Sequence, residues 1–478
     1  MTIASETWLA DDRPAALKRL FEFLSIPSIS TEAASAADCG RAAQWLAREL
    51  ESLGFEARTV STGRHPVILA HAPRVPDAPR VLFYGHYDVQ PAGHEDEWDH
   101  SPFEPLLLAR DGRQVIHGRG AADDKGQVMT FVEACRAAMA TGGLPLNVTL
   151  LIEGEEEIGS PSLASVLEAH ADELAADIAL ICDTAMLDRR TPVIACQLRG
   201  FVGEIVTVRA AQEDLHSGNY GGAARNPAQV LCEALASLRG SDGSVALPGF
   251  YTDVAELPEE VSREWAQLAN VSNRLLPDVG LAEPAGERNR GVLEQVWSRP
   301  CFDINTLCSG HIGEGFKTVL PAHAVAKVSF RLVAAQDPDK IRTAFRDAVR
   351  ARIPADCRVG FEAYGTVAAT QMDVTRPEFA VAKRIVQEVW GGPCVLVGMG
   401  GSIPAVGALK TVLGMDSLLL GFGQADDRIH ASNEKYDLDS FEKGALTWLR
   451  ILDALATEGG AAAGHSSRPT QAGELHPA

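Results

Sequence analysis

Apolar residues recur along this chain at helical spacing from Pro14 to Leu24 and again from Ala34 to Leu53, where Gly54 supplies a residue suited to a helix C-cap. Short apolar runs rich in β-branched residues follow: VILAHA, RVLFYGHYDV, NVTLLIEGEE and IALICDT. They predict buried parallel strands. Helical and strand patterns alternate, which is how a sheet covered by helices on both faces is written. Three of the strands run straight into a turn rich in acidic residues or histidine, and open α/β sheets bind ligands at the carboxyl ends of their strands.

Near Gly200 the pattern changes. EIVTVRAA alternates like a strand with one wet face, NPAQVLCEALASL is helical, AVAKVSFRLV is a strand, DPDKIRTAFRDAVRARI is a long amphipathic helix and RVGFEAYG is a last strand. Together they predict a compact α+β insert. Residues 243–300 between them are richer in Pro, Gly and charge, so loops and short helices are expected there. After Thr370 the first pattern resumes with the helical EFAVAKRIVQEVW, the strand-like CVLVGMGGS and SLLLGFG, and a closing helix in DLDSFEKGALTWLRILDALA. The expected fold is α/β, a mixed, mostly parallel sheet flanked by helices, with an inserted α+β lid domain. The first domain would span 1–202 and 371–457, the insert 203–370, and a disordered tail 458–478. No internal repeat is seen.

With 478 residues the chain exceeds what one hydrophobic core usually organises, in keeping with more than one domain. Its 64 acidic against 43 basic residues leave a net charge of -21, which argues against nucleic acid and against an anionic membrane surface. No apolar run approaches the roughly 18 residues a membrane helix requires. The nine cysteines form no CxxC pair and mostly lie in apolar stretches, as buried small hydrophobes do in a reducing compartment. MTIASETWLADDRP is acidic where a secretory signal needs a basic start. The expected location is the cytoplasm.

The chemistry lies in the turn segments. In GHYDVQP, His86 and Asp88 are two apart, so at a strand end both point to one side: the histidine can ligate a metal while the aspartate holds its other ring nitrogen. GRGAADDKG supplies a tight loop and then two carboxylates that open a helix from about Lys125 to Ala140. One can cap that helix while Asp123 bridges two metals. GEEEIGS places three successive carboxylates after an apolar strand, where they repel one another unless a cation lies among them. Glu157 is assigned to a metal and Glu156 to the role of base, because adjacent side chains diverge. Asp183 in LICDT is a candidate ligand or a turn former, and His430 in RIHASNEKY a candidate ligand or a surface histidine. Carboxylates and imidazoles together suit paired zinc ions, with manganese or cobalt as substitutes. His65, His94, His311 and His323 belong to no ligand-spaced pair and read as structural or surface groups. GMGGS lacks the features of a nucleotide-binding loop.

The segments GHYDVQP, GRGAADDKG, EGEEEIGS, EDLHSGNYGG and HASNEKY, in this order, resemble the di-zinc metallopeptidase family of carnosinase-type dipeptidases, glutamate carboxypeptidase and succinyl-diaminopimelate desuccinylase. GHYDVQP, DLHSG and GEGFKTVLPAHAVAKVSFRLV are most similar to its cytosolic nonspecific dipeptidase branch. The resemblance implies that Asp123 bridges two zincs, with His86 and Asp183 on one and Glu157 and His430 on the other. It further implies that Asp88 orients His86 and that the Asp123–Asp124 peptide is cis. His216 of DLHSG would reach across a homodimer to stabilise the oxyanion, and Arg331 would bind the substrate's free carboxylate. Asn219, Thr318 and Ser402 are further candidate substrate contacts, each also readable as a loop or cap residue. Hydrolysis of dipeptides or short peptides is the expected activity. An N-acyl or N-carbamoyl amino acid amidohydrolase, and more remotely a metal-binding protein without catalysis, are the alternatives.

Overall fold

The computed structural model describes residues 3–458. The expectation for the tail falls mainly on 459–478, outside the described residues. The chain has a mixed α/β fold and forms two compact units. Among the described residues, the first takes 3–194, Asp373–Cys394 and 412–458; the second takes Ala195–Met372 and Val395–Thr411. Residues 395–411, assigned from sequence to the first domain, thus group with the second unit.

In the first unit, strands run side by side in the order Glu56–Val60, Val67–His71, Asn147–Glu153, Arg80–His86, Ile178–Ile181 and Ser417–Leu419. The last four are mutually parallel. Val67–His71, expected to be parallel, pairs antiparallel on both sides. Its short connection to the preceding strand, Glu56–Val60, suits a hairpin-like antiparallel pair and leaves no room for a crossover helix. The parallel register sets His86 opposite Glu153 and Tyr84 opposite Ile181. The residues that follow these strands therefore emerge at one end of the sheet.

The helix Lys125–Ala140, close to its predicted span, is buried on nearly every side. Phe131 stacks on Phe83 of the sheet with ring centroids 3.8 Å apart, and Trp448 of the closing helix Leu438–Glu458 meets both rings edge-on. Truncating such a ring to alanine costs roughly 3–5 kcal/mol. A smaller sheet ties distant segments together: Lys435–Asp437 pairs antiparallel with Arg113–His117, which pairs with Leu106–Arg110.

The second unit is built on a four-stranded antiparallel sheet in the order Cys301–Ser309, His323–Leu332, Gly200–Arg209, Arg358–Val367. Helices Pro227–Ala236 and Pro338–Arg350 contribute Leu231, Leu235, Phe345 and Val349 to a core with Val206, Val208 and Phe330 of the strands. The strand Cys301–Ser309 was not foreseen, because most of its side chains are exposed and carry no alternation. No described helix is long and apolar enough to cross a membrane.

Candidate metal centre

His86 ends its strand with its side chain buried. Its Nδ1 lies 3.0 Å from the main-chain carbonyl of Asp88 and 3.3 Å from that residue's carboxylate, and its Nε2 lies 3.1 Å from Asp123 Oδ1. Asp88 does more than hold the ring. Its Oδ1 accepts the main-chain N–H of Glu156 at 3.2 Å and its Oδ2 that of Glu157 at 3.1 Å, so one buried carboxylate ties the histidine to the acidic turn.

Asp123 precedes the helix Lys125–Ala140, and its peptide bond to Asp124 is cis. Asp124 stands at the N-cap position, but its side chain makes no capping hydrogen bond, contrary to the simpler reading of the two aspartates. Its Oδ2 accepts the His86 N–H at 3.1 Å. Gly85 makes this approach possible: a Cβ there would lie 2.5 Å from Val128 Cγ2 and 2.8 Å from Asp124 Oδ2.

The acidic turn is also more differentiated than its sequence. Glu155 faces away from the site: Thr62 Oγ1 donates to it at 2.6 Å, and the amides of His65 and Ser162 at 3.2 Å each. Protein donors satisfy this third carboxylate, so only Glu156 and Glu157 face the cluster. Glu157 Oε2 accepts from Gln90 Nε2 at 2.7 Å, while its Oε1 is buried without a hydrogen-bond partner. His430, at a left-handed backbone position with φ 61°, brings its Nε2 to 2.9 Å from Asp123 Oδ2 and 3.3 Å from Glu157 Oε2.

Two groups result. Ligand atoms of His86, Asp123 and Asp183 all lie within 4.8 Å of one another, as do those of Asp123, Glu157 and His430. Asp123 belongs to both, with one oxygen turned to each imidazole. Its side chain is 12% exposed and that of His430 53%, so the site opens on the His430 side.

The electrostatics fit a site suited to a cation. Burial opposes charge on His86, but its contacts with Asp123 and Asp88 outweigh this and hold its pKa well above the usual value. Hydrogen bonds to Asp123 and Glu157 push His430 up to about 10. Burial works against ionisation of Asp123 as well, yet the hydrogen bonds from His430 and His86 keep it below the usual carboxylate range. Burial pushes Asp183 upward against the pull of His86. It also pushes Glu156 up to about 7, the nearby carboxylates adding to the effect and His86 opposing it. These shifts favour protons at positions where a divalent ion would compete with them. The orphaned oxygen of Glu157 and the mixed imidazole and carboxylate donors fit such an ion.

The remaining sequence candidates lie in the second unit. His216 pairs with Val319 in a two-residue strand, and its Nδ1 accepts from the Gly218 amide at 3.1 Å. Both the amide and the hydroxyl of Ser217 donate to the Thr318 carbonyl, which brings His216, Asn219 and Thr318 into one exposed corner. The Arg331 guanidinium lies 5.2 Å from the centroid of the Phe201 ring and has no ion-pair partner among the described residues. Ser402 Oγ donates to the Arg199 carbonyl at 2.6 Å. Sequence reasoning missed Asp124 as a backbone anchor, Gln90 beside Glu157, and Glu434. Each stood inside a quoted motif, but nothing local distinguishes an acid that binds amides from one that binds solvent.

A cluster of this composition, with His86, Glu157 and Asp183 at the carboxyl ends of parallel strands, fits a metal-dependent hydrolase. The model of Peptidase family M20/M25/M40 matches residues 82–454, and the chain belongs to that family. It is 29% identical to a Cys-Gly metallodipeptidase of Schizosaccharomyces pombe over 455 residues, 92% of this chain and 95% of the relative. The solved structure of a di-peptidase from Saccharomyces cerevisiae superposes with TM-score 0.76 at 28% identity, covering 95% of this chain and 98% of that one. An M20 family metallo-carboxypeptidase from Sulfolobus solfataricus gives TM-score 0.78 at 29% identity, with 91% and 98% covered.

Proposed function

We propose that this protein is a dipeptidase that cleaves dipeptides or short peptides carrying a free C-terminal carboxylate, with two divalent cations, zinc in the first instance. The observation that carries this reading is the Asp123 carboxylate, whose Oδ1 faces His86 and whose Oδ2 faces His430. His86 and Asp183 would hold one ion, Glu157 and His430 the other, and Asp123 both. When bound, such a pair supplies Lewis acidity at the scissile carbonyl and brings the pKa of water towards neutrality.

Glu156 belongs to neither triad. With its pKa pushed up to about 7 by burial, it is suited to take a proton from the attacking water and return it to the leaving amine. Asp88 positions it, through the amide that the aspartate accepts at 3.2 Å. His216 has its Nδ1 engaged by Gly218, which leaves Nε2 to donate to the developing oxyanion; we assign this contact to a second subunit of a homodimer. Arg331, without an acidic partner among the described residues, suits the substrate carboxylate as a planar two-point donor. Asn219, Thr318 and Ser402 complete the substrate contacts. The relatives that act on dipeptides, similar over nearly the whole chain, support the substrate class, and the lack of any described membrane-crossing helix is compatible with a cytoplasmic enzyme.

The test is turnover by protein of defined zinc content on a dipeptide panel beside N-acetyl, N-succinyl and N-carbamoyl amino acids. Dipeptide hydrolysis that tracks zinc content is expected. Activity restricted to the acylated or carbamoylated amino acids would replace this reading with an amidohydrolase.

A further inference from the structure

The motif HASNEKY contains, four residues after His430, an acid that the proposed chemistry does not use. Glu434 is fully buried, as is Arg119 apart from a sliver of surface. Its Oε1 accepts the amides of Ala122 at 2.9 Å and Asp123 at 3.2 Å, and its Oε2 accepts the amide of Gly120 at 2.9 Å and Arg119 Nη1 at 2.6 Å. One side-chain carboxylate thus takes three amides of the loop that ends in Asp123. The Gly118 amide donates to the Glu434 carbonyl at 3.1 Å, in line with the pairing of Arg113–His117 against Lys435–Asp437. Arg119 closes the circuit: its Nη2 donates to the carbonyls of Ala431, next to His430, and of Pro91, at 3.3 and 3.2 Å.

The neighbours of Glu434 anchor the same loop elsewhere. The Asn433 side chain accepts from the Asp99 amide at 2.7 Å and donates to the Glu97 carbonyl at 3.1 Å, and Lys435 is held by Asp426, Asp427 and Asp437. These contacts fix the His430 loop to the body of the unit. Glu434 and Arg119 fix it to the Asp123 loop through their side chains.

We propose that Glu434, with Arg119, is a positioning residue that sets the Asp123 loop and the His430 loop in one frame, so that the shared carboxylate meets both imidazoles. The inference rests on the metal-centre reading above. A buried carboxylate that takes three amides and a guanidinium holds its partners without adjustable water, and outer contacts of this kind govern metal affinity as well as ligand angle. Because Asp123 serves both triads, disturbing its loop is expected to weaken both ions, whereas loss of His430 alone would weaken chiefly one.

The experiment compares wild type, Glu434→Gln, Glu434→Asp and His430→Ala in zinc competition titrations, and in the absorption spectra of their cobalt forms. The amide of glutamine turns a donor toward at least one donor on Gly120, Ala122, Asp123 or Arg119; aspartate keeps the charge but cannot span the same amides. Both Glu434 variants are expected to bind each of two ions roughly 10- to 100-fold more weakly than wild type, with altered cobalt spectra and with circular dichroism of the metal-free protein unchanged. Should Glu434→Gln not fold, Glu434→Asp decides alone. Wild-type affinity and spectrum in a folded Glu434 variant would overturn the positioning role. Failure of wild type itself to bind metal would instead overturn the metal-centre reading.

Discussion

Asp124 Oδ2 accepts the main-chain N–H of His86 at 3.1 Å, so the aspartate next to Asp123 grips the strand end that carries His86. The contact depends on Gly85, whose missing side chain leaves room for Asp124 and Val128. Gly85→Ala is therefore expected to destabilise the protein by about 1–3 kcal/mol, the usual cost of overpacking. Its zinc affinity should fall as well, because His86 and Asp123 can no longer keep their spacing. Thermal melts with and without zinc check this, and an unchanged melting temperature would show that the strand end relaxes freely.

Glu156→Gln is expected to keep metal content at the wild-type level and to lose turnover by a factor of about 10²–10⁴ or more, since it removes a proton carrier and no ligand. Elemental analysis beside kcat checks this. Loss of metal in this variant, with retention in Glu157→Gln, would exchange the roles of the two glutamates.

Metal uptake should strengthen with rising pH. His86 and His430 both have raised pKa values in the metal-free site, His430 at about 10, so at neutral pH they carry protons that an incoming cation must displace. Binding then releases protons, and apparent affinity falls as pH falls, by roughly tenfold per pH unit for each proton displaced. Competition titrations from pH 6 to 8, with calorimetry in buffers of different ionisation enthalpy, measure the release. An affinity independent of pH would mean that the imidazoles are already neutral.

His216→Ala should lower kcat sharply at constant metal content. Mixed with Glu156→Gln, it should regain activity through hybrid dimers if the histidine serves a second subunit. Proven subunit exchange without recovery would confine His216 to its own chain.

Arg331→Ala should raise KM for peptides with a free C-terminus by roughly 10- to 100-fold, the scale of a lost charge-assisted hydrogen bond, and leave C-terminally amidated peptides unaffected. An equal rise for both would assign the arginine to packing on Phe201.

By itself, the sequence determined which turn segments concentrate imidazole and carboxylate donors, and which of them follow strands or open a helix, because strand and helix periods and the donor types of His, Asp and Glu are local properties. His86, Asp123, Asp183, Glu157 and His430 were legible in this way, as was the helix Lys125–Ala140. Only the tertiary structure decided how neighbouring acids divide their work. Glu155 turns to Thr62 and His65, Asp124 to the His86 amide, and Glu434 to amides 312 residues away at Ala122. The same is true of the antiparallel pairing of Val67–His71 and the grouping of 395–411 with the second unit. The reason is physical: a carboxylate has the same acceptor oxygens wherever it stands, and whether it meets an amide, an imidazole or a cation is settled by chain segments far from it in sequence.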